Sequence, residues 1–182
     1  MKKLNLLLSI SLLVSASLFA QETFTLRSSD IGGQFTKAQE FGGFGCAGEN
    51  QSPELSWENA PEGTKSFAVT MYDPDAPTGS GFWHWVMFDI PADVNELKRN
   101  AGNLEMNLAP DGAIQSMTNY GTQGFGGPCP PKDHGIHEYI ITVYALKTDK
   151  LGLDKTANPA FVGFNLWNNV IAKASIVAYY ER

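Results

Sequence analysis

Alternation along residues 65–72 places Phe67, Val69 and Met71 on one face of an extended segment and Ala68, Thr70 and Tyr72 on the other. Both faces are fairly apolar, which predicts a central strand covered on two sides. Residues 83–90 (W-H-W-V-M-F-D-I) and 137–146 (H-E-Y-I-I-T-V-Y-A-L) predict two further long strands. Shorter β-prone runs stand at 24–27, 35–41, 54–58, 113–119 and 175–180. Helical signals are fewer. Pro91-Ala92-Asp93 can open a short helix through Arg99. Asn158-Pro159 predicts an N-cap with proline at the first helical position, followed by Val162, Leu166, Trp167, Val170 and Ile171 on one face as far as Lys173. No repeat, low-complexity tract or linker interrupts this pattern. The expected fold is mainly β, an antiparallel β-sandwich with a few short helices, one of them near the C-terminus.

Two Gly/Pro-rich loops punctuate the long strands. D-P-D-A-P-T-G-S-G (73–81) cannot continue either neighbouring strand, so residues 65–72 and 83–90 are expected to pair antiparallel. That brings Asp73 and His84 to one rim. The sharp turn also predicts a cis Ala76–Pro77 bond, since cis peptides are essentially confined to X–Pro. The second loop, 120–135, is Y-G-T-Q-G-F-G-G-P-C-P-P-K-D-H-G, and loops of this length are commonly functional when ordered.

The N-terminus changes the picture. Met1-Lys2-Lys3, an apolar run over 4–14 and small residues over 15–20 read as a secretory signal peptide (residues 1–20) cleaved after Ala20. Residues 21–182 then form a single domain, and losing Lys2 and Lys3 takes the formal charge from −6 to −8. An acidic chain argues against nucleic acid or an anionic membrane as the main partner. No later stretch could span a bilayer, and the residue immediately after the cleavage point is Gln21, not a cysteine that could carry a lipid. The expected location is the periplasm or the exterior. Cys46 and Cys129 are the only cysteines, and in an exported chain they predict a disulfide.

The candidate chemistry gathers on the same rim. His137 and Tyr139 are two apart in a strand and share a face. If residues 137–146 pair antiparallel with 65–72, then Asp73, His84, His137 and Tyr139 converge beside the glycine-rich loop. Two imidazoles, a carboxylate and a phenol near loop N–H groups suit an oxyanion such as phosphate. Imidazolium would supply the charge, so affinity is expected to fall as pH rises. A metal site is a weaker reading, because the histidines come from separated segments, and no cofactor or metal is expected. A hydrolase triad would need a nucleophile, and no Gly-x-Ser-x-Gly elbow is present. His134 is expected to be a solvated loop residue, while an aromatic near His84 could wall the pocket.

D-P-D-A-P, G-S-G-F-W-H-W and the P-P-K and H-x-Y of residues 130–139 together resemble the phosphatidylethanolamine-binding protein family, in its bacterial YbhB/YbcL branch, also described as Raf-kinase-inhibitor-like. The resemblance runs from about Phe24 to Tyr180. It implies a β-sandwich with a small pocket for phosphate-like anions and phosphorylated head groups. Asp73 and His84 match the first motif, and Pro130, Pro131, His137 and Tyr139 the second. The cysteine pair resembles exported members of the branch. One departure is Glu138, which stands where the family usually has Arg and removes a cation expected to pair with the acidic loop.

The ligand-binding set expected from residues and resemblance together is Asp73, His84, Gly127, Pro130, Pro131, His137 and Tyr139. The leading functional expectation is an exported, non-catalytic binding protein for a small phosphorylated or otherwise anionic ligand. The alternatives are an interaction or inhibitor module acting on a kinase or protease, and a hydrolase. A protein partner or a homodimer is left open.

Overall fold

A computed structural model describes residues 22–182 of the chain. The expected signal peptide lies outside the described residues. Eight strands and one helix follow in the order β1 (Thr25–Arg27), β2 (Leu55–Glu58), β3 (Ser66–Asp73), β4 (Phe82–Pro91), β5 (Glu96–Leu97), β6 (Ile114–Gln115), β7 (His137–Leu146), α1 (Pro159–Asn169) and β8 (Val170–Tyr180). The strands form a five-stranded sheet, β6-β4-β3-β7-β8, and a three-stranded sheet, β1-β2-β5, with every pair of named strands antiparallel.

β3 is central, as its two apolar faces demand. Phe67, Val69 and Met71 look toward the small sheet and pack with Leu55, Trp57, Trp85, Ile141 and Val143. Ala68, on the opposite face, packs with Val86, Phe88 and Leu146 beneath Val162 and Leu166 of α1. Each large aliphatic or aromatic side chain buried this way contributes about 1.5–3 kcal/mol. Replacing Met71 by Ala would leave a cavity between the layers and cost about 2–5 kcal/mol.

Asn158 caps α1 by accepting from the Phe161 N–H at 2.9 Å, with Pro159 in the first turn. The helix stops at Asn169 rather than Lys173, because Val170 is extended and begins the long edge strand β8. β8 pairs with β7 from His137↔Tyr180 to Leu146↔Val170, so sheet pairing overrides the helical spacing of Val170 and Ile171. Two other expectations fail. Residues 35–41 are turns, in which the Gln39 side chain accepts from the Thr36 N–H and hydroxyl, and only Gln34 bridges to Tyr179. Residues 91–99 hold a turn and the short β5, not a helix, since Leu97 is buried in register with Leu55. Among the described residues α1 is the only α-helix.

The β3–β4 ladder slips twice, and one slip makes the site. Met71 faces Trp85 and Tyr72 faces Trp83, so His84 is the extra residue of a β-bulge. Trp83 consequently packs on the helix side and Trp85 on the small-sheet side, although they are two apart.

Candidate ligand site

The 73–81 loop turns without a cis bond: no cis peptide occurs among the described residues, so Ala76–Pro77 is trans. The reversal is built instead from an Asx turn, in which Asp73 Oδ1 accepts from the Asp75 N–H at 2.8 Å, and from positive φ at Gly79 (77°) and Gly81 (67°). Asp75 is anchored from the far side by the Glu138 N–H, 2.8 Å from Asp75 Oδ2. A backbone donor therefore holds the acidic loop, whatever side chain residue 138 carries.

Asp73, at the end of β3, is buried, and its second oxygen lies 2.8 Å from His137 Nδ1. His137 opens β7, and its Nε2 lies 2.8 Å from His134 Nδ1. His134 is exposed, as a solvated loop residue would be, yet it is joined to the buried pair. His84 Nδ1 faces two carbonyl oxygens, those of Gly126 (2.8 Å) and Gly127 (3.2 Å). Two acceptors assign the proton to Nδ1, which leaves Nε2 with a lone pair. That Nε2 is buried and has no partner, and neither has the buried Tyr139 hydroxyl.

Burial pushes His84 down to about 4, against the opposing pull of the Gly126 carbonyl and Asp73. His84 is thus neutral at neutral pH, and the expectation that it supplies cationic charge there does not hold. Burial, then the Asp73 carboxylate, drives the ionisation of Tyr139 and of Tyr120 far above the ordinary phenol range. Both remain neutral hydroxyls. The Asp73 charge reaches Tyr139, although no acceptor stands in hydrogen-bonding geometry to its hydroxyl.

Asp73, His84, His137 and Tyr139 line a cavity of about 210 Å³ together with Pro130, Pro131, Pro77, Thr78 and Cys129. Phe44, Phe82 and Tyr120 form aromatic walls, with the Phe82 and Tyr120 rings edge-to-face at 4.8 Å. No lysine or arginine lines it. Gly127 stands behind the wall instead. Its N–H donates to Asn50 Oδ1 at 2.7 Å, its carbonyl accepts from the Tyr120 hydroxyl at 2.7 Å, and a Cβ there would come within 1.7 Å of the Gln39 carbonyl oxygen. The Gly126 N–H is also engaged, by the His84 carbonyl at 2.8 Å. At this point the loop presents carbonyls to His84 rather than free donors.

Cys46 and Cys129 are bonded, with Cα atoms 6.1 Å apart, tying residues 42–53 to the 120–135 loop. Asn50 makes the second tie through the Phe125 carbonyl (3.2 Å) and the Gly127 N–H. Sequence reasoning missed Tyr120, Asn50 and the contact of His134. The one available signal was an aromatic at the mouth of the Gly/Pro loop. A larger depression of about 580 Å³ lies beside Leu104 and Gln115, where the Gln115 amide accepts from Trp85 Nε1 and donates to the Ala101 carbonyl.

The profile described as phosphatidylethanolamine-binding protein matches residues 31–181. The chain belongs to that family. It is 50% identical over 160 residues to the UPF0098 protein YbcL of Escherichia coli K12, covering 87% of each chain. With YbhB of the same organism it shares 45% identity over 158 residues, covering 86% of this chain and 99% of the relative. The crystal structure of E. coli YbcL, described as a member of the mammalian PEBP family, superimposes with a TM-score of 0.86 at 49% identity over 90% of this chain and 99% of that one. In this member of the family, one cavity collects the acidic end of β3, the bulge of β4 and the start of β7.

Proposed function

We propose that the protein is an exported, non-catalytic binding protein that holds phosphate or a phosphorylated head group in the cavity between Asp73, His84, His137 and Tyr139. One observation carries this reading: two buried polar atoms, His84 Nε2 and Tyr139 Oη, belong to residues lining the same small cavity and have no partner. Buried polar groups are ordinarily satisfied, and leaving each unpaired costs about 1–3 kcal/mol, so a ligand that engages both gains from the start. Membership of a family named for a phospholipid supports the choice of phosphate chemistry. The signal-peptide pattern of residues 1–20 supports export. The absence of catalysis is supported by the lining, whose serine- or threonine-type hydroxyl, Thr78, donates to the Gly81 carbonyl. The test is titration with inorganic phosphate and phosphoethanolamine, followed by NMR. Saturable shifts should gather at residues 73, 84, 137 and 139 and vanish in His84→Ala. Shifts scattered over the surface, or none, would remove the reading.

A second reading, a protein-interaction or inhibitor module, is favoured by the outward face of α1, where Phe161, Phe164 and Trp167 are at least half exposed. It requires a partner whose binding is lost in Trp167→Glu and retained in His84→Ala.

A further inference from the structure

His134 Nδ1 and His137 Nε2 face each other at 2.8 Å, a contact that plays no part in the phosphate reading. Asp73 Oδ2 takes the Nδ1–H of His137, also at 2.8 Å, so His137 Nε2 presents a lone pair and the proton between the rings belongs to His134. An imidazole whose far nitrogen is held by a carboxylate is oriented as metal-binding histidines are. Separated segments weaken a metal site built on His84 and His137, but His134 is only three residues from His137. Residues 131–136 are exposed, which lets His134 turn and gives an ion a path from solvent. Buried His137, in contrast, is fixed by Asp73.

We propose that His134 Nδ1 and His137 Nε2 bind a divalent transition-metal ion, Cu²⁺ ahead of Zn²⁺, with Asp73 as the outer carboxylate. The ion takes the place of the shared proton. Both lone pairs go to the metal, and the proton on His134 Nδ1 moves to Nε2 of the same ring. Metal–imidazole bonds of about 2.0–2.1 Å meeting near a right angle hold their nitrogens roughly 2.9 Å apart. The two nitrogens already stand at 2.8 Å, so a turn of the rings aims both lone pairs at one point. Among the described residues no three or more His, Cys, Asp or Glu side chains are grouped to hold one ion. The protein therefore supplies two ligands, and water completes the shell. Two imidazoles with open positions suit Cu²⁺, which heads the affinity order for such ligands and accepts a tetragonal plane. The surroundings favour a cation. Asp73 touches His137, Asp75 is held by the Glu138 N–H, and Asp133 and Glu138 flank the pair in the chain, against Lys132. Arg182 meets this turn through its carbonyl, which accepts from the Asp133 N–H, while its guanidinium lies 3.1 Å from Cys46 Sγ.

Calorimetry with CuCl₂ on the intact disulfide-bonded protein, joined to electron paramagnetic resonance of the bound ion, tests the site. Wild type should take up one Cu²⁺ per chain, with hyperfine coupling to two nitrogens, and should bind Zn²⁺ more weakly. Removing even an outer partner of a metal-bound histidine costs about 10–100-fold in affinity. His134→Ala removes a ligand itself, at an exposed position, and should lower Cu²⁺ affinity at least about tenfold. Its spectrum should lose one of the two nitrogens. Circular dichroism and the thermal midpoint of His134→Ala should match wild type, so that the loss is one of ligation and not of fold. Cu²⁺ bound with the same affinity and spectrum in His134→Ala, or no saturable uptake by wild type, would overturn the proposal. Either result would leave the phosphate reading to its own titration.

Discussion

His137 Nδ1 lies 2.8 Å from Asp73 Oδ2, and both side chains are buried where β3 ends and β7 begins. Asp73 also accepts from the Asp75 N–H, so one carboxylate orients an imidazole and shapes the acidic loop together. Asp73→Ala strands the buried His137 donor and frees the part-buried Asp75 N–H, with an expected loss of about 2–4 kcal/mol in urea unfolding. Asp73→Asn should lose less. With its Oδ1 kept on the Asp75 N–H, the amide turns its NH2 to His137 and donates, which moves the ring proton to Nε2. Nitrogen shifts of His137 would report that change of tautomer; an unchanged tautomer in Asp73→Asn would show that Asp73 does not set it.

His84 makes stability depend on pH in a predictable direction. Its folded value of about 4 lies below the ordinary 6.5, so the unfolded chain binds a proton that the native one refuses. Stability from the neutral ring is therefore full above about pH 6.5 and is lost as pH falls toward 4. The span corresponds to roughly 3 kcal/mol. Urea midpoints from about pH 7.5 down to 4.5 should fall more steeply in wild type than in His84→Phe. Equal slopes would mean that the ring titrates freely in the native state.

The Cys46–Cys129 bond closes a loop with a sequence separation of 83 and pins Cys129 in the lining of the cavity. Chain entropy sets an upper figure of roughly 4–5 kcal/mol for its contribution. Native protein should show no alkylatable thiol. Reduction, or the double Cys→Ser variant, should lower the thermal midpoint and weaken phosphate binding while keeping the β-sheet circular dichroism. Undiminished phosphate binding after reduction would separate the bond from the site.

Two glycines should respond in opposite senses to alanine. At Gly127 a Cβ would stand 1.7 Å from the Gln39 carbonyl oxygen, and backbone on both sides would have to part. Gly127→Ala should cost about 3 kcal/mol or prevent folding, releasing the carbonyls that hold His84. At Gly163, inside α1, a Cβ meets nothing within 4 Å. Gly163→Ala should stabilise by about 0.5–1 kcal/mol. Matched urea curves would check both, and a tolerated Gly127→Ala would count against the tight backing described for the loop.

Much of this architecture was legible in local pattern. Two-sided apolar runs mark β3, β4 and β7, and Asn158-Pro159 marks the start of α1, because periodicity and capping are decided by neighbours in sequence. The approach of Asp73 to His137 also follows from strand order, given the antiparallel pairing of β3 with β7. Residues 35–41 and 91–99 misled for the converse reason. Their local signals were weak, and side-chain turns or register with β2 decided them.

The residue types on the rim, the disulfide-capable pair and the family resemblance were determined by the sequence itself. Only the tertiary structure decided their chemical state. Alternation along β4 gives no sign that His84 is the extra residue of a bulge, since the slip exists only against β3. Nor does composition tell that His84 lies against two carbonyls donated from over 40 residues away, which sets its tautomer, while burial sets its charge. A side chain's identity is local, but its protonation depends on what the folded chain places around it, and that is why a site read as cationic from sequence is built around a neutral acceptor.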